Sequence, residues 1–181
     1  VLANLVVEVR LGVLAAVLAP GVLPQLLPVL VGGLAIGGLG AIYGVRRLRP
    51  QGEMPALAMA NPTELRTALG FGLMYAIVLL AAALLSDWLG TRGLYAVALV
   101  SGLTDVDAIT LSSLRLYDLD KLPVAVVVNV VTLATLANLA FKSLLTLVIG
   151  GWQMARHAVA GMGAIGLGLV IAWAIMRGFS A

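Results

Sequence analysis

Apolar runs of about 20 residues, separated by short polar stretches, dictate the fold class of this chain. That is the length at which an α-helix covers a hydrocarbon core of roughly 30 Å, whereas a membrane barrel needs shorter segments of alternating polarity. Six segments stand out: Val1 to Ala19, Pro24 to Gly44, Leu65 to Leu85, Gly93 to Leu116, Pro123 to Ile149 and Val159 to Met176. The expected architecture is an all-α, polytopic transmembrane helix bundle of about six spans, one integral membrane domain over residues 1–181. Composition agrees: 62% of residues are hydrophobic and 10% charged, against about 25% charged in soluble domains.

The punctuation between the runs is that of helix ends. Pro20-Gly21 closes the first, and Pro24 and Pro28 stand near the start of the second. Arg46, Arg47 and Arg49 open a polar loop that reaches Thr63. Asn61-Pro62-Thr63-Glu64 reads as a helix start, and Ser86-Asp87-Trp88-Leu89-Gly90 as an interfacial end. Tyr117 to Lys121 forms the next loop, and Gly150-Gly151 ends the fifth segment. No signal-peptide pattern is seen, because Arg10 follows the start of the first run and no small-residue cleavage site closes it. With six crossings, Arg46, Arg47, Arg49, Arg66, Arg115, Lys121 and Arg177 fall on one side, and Arg92 and Arg156 on the other. The positive-inside rule then places both termini in the cytoplasm, and the net charge of +3 reports topology rather than nucleic-acid binding.

Several chemistries are excluded. There is no cysteine for a disulfide or thiolate metal site, and His157 is the only histidine. No serine, cysteine and histidine constellation offers an enzyme, and an intramembrane aspartyl hydrolase needs its acids on facing helices. Gly161-Met162-Gly163-Ala164-Ile165-Gly166 fits the dinucleotide pattern, yet no strand precedes it. These glycines, like Gly33, Gly37, Gly40 and Gly44, read instead as faces on which helices approach closely in lipid. Trp88, Trp152 and Trp173 read as interfacial belt residues.

The informative residues are the charges inside apolar segments: Glu8, Arg10, Asp105, Asp107 and Lys142. Each ionised group at the centre of an isolated helix costs roughly 2.5–3.5 kcal/mol on insertion scales, so such groups are paired, hydrated, protonated or cation-bound. On a regular helix Asp105 and Asp107 point about 200° apart. Ser101, Thr104, Asp105, Ala108, Ser112 and Arg115 share one stripe, which favours Asp105 as the residue facing a polar interior. A break near Gly102 would let both carboxylates converge, and Thr104 would then cap a second half-helix. The fifth segment offers Asn138 and Lys142 on one face, and Arg10 lies midway along the first. Pairing of Asp105 or Asp107 with Arg10 or Lys142 is the expected contact set.

These residues also carry a family resemblance. Asn61-Pro62 with Leu65-Arg66-Thr67-Ala68-Leu69, the run Gly102-Leu103-Thr104-Asp105-Val106-Asp107-Ala108-Ile109-Thr110-Leu111-Ser112, and Asn138 with Phe141-Lys142 resemble the membrane domain of unknown function 4010. That domain commonly follows an MgtC/SapB-type membrane domain. The resemblance implies a prokaryotic inner (cytoplasmic) membrane protein and supplies no activity.

Two functions follow as expectations. The first is conduction or transport of a small cation, by a homo-oligomer embedded in the lipid bilayer, with Asp105 and Asp107 as metal or ion ligands. Thr104, Ser112 and Asn138 would add neutral oxygens, and Lys142 or Arg10 a counter-charge. A bound cation is then the one expected cofactor. The alternative is a non-transporting membrane subunit, a homo-oligomer or the partner of another membrane protein, whose charges form structural ion pairs.

Overall fold

The computed structural model describes residues 1–47 and 92–179, all of whose regular structure is helical. The third apolar segment, the helix start at Asn61-Pro62, the end at Ser86 to Gly90 and Trp88 lie outside the described residues. Five helices are described: α1 (Leu2–Leu18), α2 (Leu23–Arg47), α3 (residues 92–104), α4 (Val106–Asp118) and α5 (Val124–Phe179). Three stretches are long and apolar enough to cross a membrane: Leu23–Gly44, Val124–Val148 and Ala155–Gly178.

Pro20-Gly21 separates α1 from α2, and the two helices fold back as an antiparallel hairpin: Leu5 meets Gly37 and Gly12 meets Leu30. Helix α5 cannot be straight. A rod of 56 residues would hold Asn129 and Trp173 roughly 66 Å apart by helical rise, yet Trp173 Nε1 donates to Asn129 Oδ1 at 2.8 Å. Ser143 bonds Met162, and Leu136 lies against Gly166, so the pairs centre on Gly150-Gly151, where the helix reverses. Its first arm is Val124–Val148 and its second Ala155–Gly178.

The second arm packs along α2 through small residues. Gly33 meets Leu169, Gly37 meets Ile165 and Gly40 meets Ala164. The tightest approach is backbone on backbone, at Gly32 and Gly168. In the dinucleotide-like pattern Gly161 packs on Val1 and Gly166 on Leu136, whereas Gly163, like Gly44 of α2, meets nothing within 4 Å among the described residues, so only part of each predicted face serves packing.

The fourth segment was expected to cross, either as a regular helix or with a break near Gly102; it does break, but it does not continue in the same direction. Gly102 is helical; the break is one residue wide, at Asp105, whose backbone is extended (φ −148°, ψ 125°). Helix α3 runs beside the first arm in the same direction, since Tyr95 bonds Asn129 and Gly102 bonds Asn138. Helix α4 then returns: the Tyr117 side chain reaches Gly21 at the α1–α2 turn, and Lys121 N–H bonds the Leu116 carbonyl just before α5 begins. Thus α3 and α4 enter and leave at one end of the bundle, as a re-entrant pair with its tip at Asp105.

This changes the topology. Val1 packs on Gly161, 16 residues before Arg177 in the second arm, a separation of roughly 24 Å by helical rise. Val1 and Arg177 therefore stand at opposite ends of the bundle. The expectation of two cytoplasmic termini counted the fourth segment as a crossing; a re-entrant pair contributes none.

Candidate functional site

The re-entrant tip gathers three of the five charged residues inside the apolar segments: Asp105, Asp107 and Arg10. Asp105 stops α3 and starts α4 as its N-cap: Oδ1 accepts from the Asp107 amide at 2.9 Å, satisfying one of the orphan donors of a helix start. The cap is thus Asp105 and not Thr104, whose hydroxyl donates to the Ser101 carbonyl at 3.1 Å. Asp107 sits in the first turn of α4, where an acid complements the helix dipole.

Arg10 reaches Asp107 from α1, its guanidinium on Oδ2 as an ion pair, with side chains 53% and 23% exposed respectively. Asp107 Oδ1 is buried without a hydrogen-bond partner among the described residues. Arg10 stands eight residues before the end of α1, roughly 12 Å along the helix, so the pair lies at mid-bundle depth.

Lys142 does not join an aspartate. Its Nζ donates to Asn4 Oδ1 at 3.0 Å, one turn from Glu8 on the same face of α1. It still lies within electrostatic reach of Arg10, Asp105 and Asp107. Asn138 donates from Nδ2 to the Gly102 carbonyl at 2.8 Å and is buried, so it fastens α3 to the first arm. Ser112 is exposed and donates to the Ala108 carbonyl at 2.9 Å, more than a turn along α4 from the tip. The stripe that grouped Ser112 with Asp105 presumes a continuous helix, which the break abolishes. Among the described residues no three acids or histidines come together. Among those residues a divalent cation at Asp105 and Asp107 would find no third carboxylate.

Sequence reasoning missed Asn4, and noted Glu8 without a role. The spacing of Asn4, Glu8, Leu11 and Ala15, all buried, is the signal that identifies one inward face of α1. It also left Asn129 unassigned. That side chain links α3 to the second arm, accepting from Trp173 and donating to Tyr95 at 3.3 Å, while Arg177 stacks 4.4 Å over the Trp173 ring. A mostly apolar cavity of about 280 Å³ opens beside these residues, at the end of the bundle away from Lys142.

Membrane-length helices, glycine-mediated packing and a charged re-entrant tip define an integral membrane protein of helical hairpins. The chain belongs to the family of the domain of unknown function DUF4010, whose model matches residues 1–150. It is similar to an uncharacterized protein of Aquifex aeolicus (strain VF5), 32% identical over 102 residues, which is 56% of this chain and 44% of that protein. The matched stretch thus spans less than half of the relative's length. No solved structure matches the chain.

Proposed function

We propose that this protein conducts or transports a small cation across a prokaryotic cytoplasmic membrane, along the polar tip at Asp105 and Asp107. The observation that carries the reading is the break at Asp105. It brings two carboxylates, Arg10 and the end of a helix together midway through an apolar bundle. Broken helices at membrane depth recur where a bundle handles ions, because freed backbone and ionisable groups are tolerated only when buried or beside water. Arg10 supplies an internal cation that a passing ion would displace from Asp107. The presence of only two acids at the tip among the described residues favours a monovalent ion or a proton over a divalent metal, which takes six or more oxygens as calcium or magnesium.

The test is ion flux in proteoliposomes, comparing wild type with Asp105→Asn and Asp107→Asn under proton, sodium, potassium and magnesium gradients. Loss of flux in a monodisperse, folded variant supports the pathway. Wild-type liposomes that leak none of these ions more than empty ones would rule it out.

A second reading has its own observation: both acids are already engaged, Asp107 by Arg10 and Asp105 by the Asp107 amide. They then register the helices of a non-transporting subunit, in a homo-oligomer or beside another membrane protein such as an MgtC/SapB-type domain. Under this reading the substitutions weaken assembly and leave every ion gradient unaffected.

A further inference from the structure

We propose that Glu8 is a proton-binding site, held as the neutral acid inside the bundle and able to exchange one proton with water. The inference deepens the cation-pathway reading, naming the proton as its ion, and rests on that reading only for this use.

Glu8 is 1% exposed, and among the described residues neither of its carboxylate oxygens has a hydrogen-bond partner. The groups around it are otherwise committed. On its own helix Asn4 accepts from Lys142, and Arg10 pairs with Asp107. From the α3–α4 tip, Asp105 is held by the Asp107 amide. From the first arm of α5, Lys142 is the one ionisable group at this level, and it points to Asn4. Helix α2, which packs on α1 where Gly37 meets Leu5 and Leu30 meets Gly12, carries no ionisable residue from Leu30 to Gly37.

The charges balance without Glu8. Arg10 pairs with Asp107 and Lys142 lies within electrostatic reach of Asp105 and Asp107, so among the described residues an ionised Glu8 would be the one uncompensated charge of the cluster. An isolated carboxylate in an apolar interior binds a proton rather than stay charged. Uptake forms one O–H bond on a carboxylate oxygen. Release leaves that electron pair on the oxygen and passes the proton to water. Arg10, paired with Asp107, stands two residues further along the same helix, so parting Arg10 from Asp107 would change the field at Glu8.

The experiment is infrared spectroscopy of the whole chain in lipid nanodiscs, for wild type, Glu8→Gln and Glu8→Asp. At neutral pH the wild type is expected to show the carbonyl stretch of a protonated carboxyl group, shifted in deuterium oxide and lost reversibly in alkali. The band is expected to vanish in Glu8→Gln and to move in Glu8→Asp. Absence of the band from the wild type overturns the proposal, as does its persistence unchanged in Glu8→Gln. Should Glu8→Gln not fold, an unmoved band in Glu8→Asp overturns it equally.

A pH-sensitive dye in proteoliposomes then tests the use. Proton flux is expected to fall at least tenfold in Glu8→Gln and to survive in part in Glu8→Asp. Equal flux in wild type and Glu8→Gln would overturn the assignment of Glu8 to the pathway. Wild-type protein that shows the band but moves no ion would defeat the transport reading and leave the proton site standing.

Discussion

Asn138 and Gly102 join the first arm of α5 to α3 by one hydrogen bond, Nδ2 to carbonyl at 2.8 Å, at a point where the Ala134 backbone leaves no room for a β-carbon on Gly102. The two features serve one purpose. A glycine lets the helices touch, and the amide occupies a carbonyl near the end of α3, where helical partners run out. Replacing Gly102 by Val is expected to push α3 off the arm, an overpacking cost of about 1–3 kcal/mol. Asn138→Leu, which strands the carbonyl, should cost about 1–3 kcal/mol. Thermal unfolding of the purified protein in detergent checks both, and a Tm within error of wild type for Gly102→Val would contradict the close contact.

The Arg10–Asp107 pair spans α1 and α4. Removing either charge leaves the other without its partner at mid-bundle depth, so each single neutralisation should destabilise more than the double. A cycle of Arg10→Gln, Asp107→Asn and the double variant is expected to show a coupling of about 0.5–3 kcal/mol, toward the lower end because Arg10 is half exposed. Strict additivity of the two single effects would deny the interaction.

Asp105 allows structure and transport to be separated. Asn caps a helix about as well as Asp, whereas Ala forfeits roughly 1 kcal/mol. Asp105→Asn should therefore retain wild-type stability, and Asp105→Ala should lose about that amount. If the tip carries a cation, Asp105→Asn nevertheless loses flux. A stable, fully active Asp105→Asn protein would confine Asp105 to capping.

The glycines divide by what faces them. A β-carbon on Gly32 would lie 2.7 Å from the Gly168 carbonyl oxygen, whereas around Gly38 nothing among the described residues comes within 4 Å. Gly32→Val should abolish monodisperse protein on size exclusion. Gly38→Ala should be neutral or stabilise α2 by up to about 1 kcal/mol. The opposite ranking would show that the hairpins pack differently.

The chain's own residues determined that it is helical and membrane-embedded, because run length and mean hydropathy are local quantities. The boundaries at Pro20-Gly21 and Gly150-Gly151, the glycine packing faces and the presence of a break in the fourth segment were legible for the same reason. Direction was not. Whether α4 continues α3 or returns beside it depends on a single extended residue, Asp105, and on the contacts Tyr117 makes with Gly21 far away in sequence. Pairing was decided the same way: helical spacing offered Lys142 and Arg10 as equal partners for the acids, and the packing of α1 gave Arg10 to Asp107 and Lys142 to Asn4. The solitude of Glu8 also belongs to the tertiary structure, since a carboxyl group is unpartnered only with respect to everything packed around it.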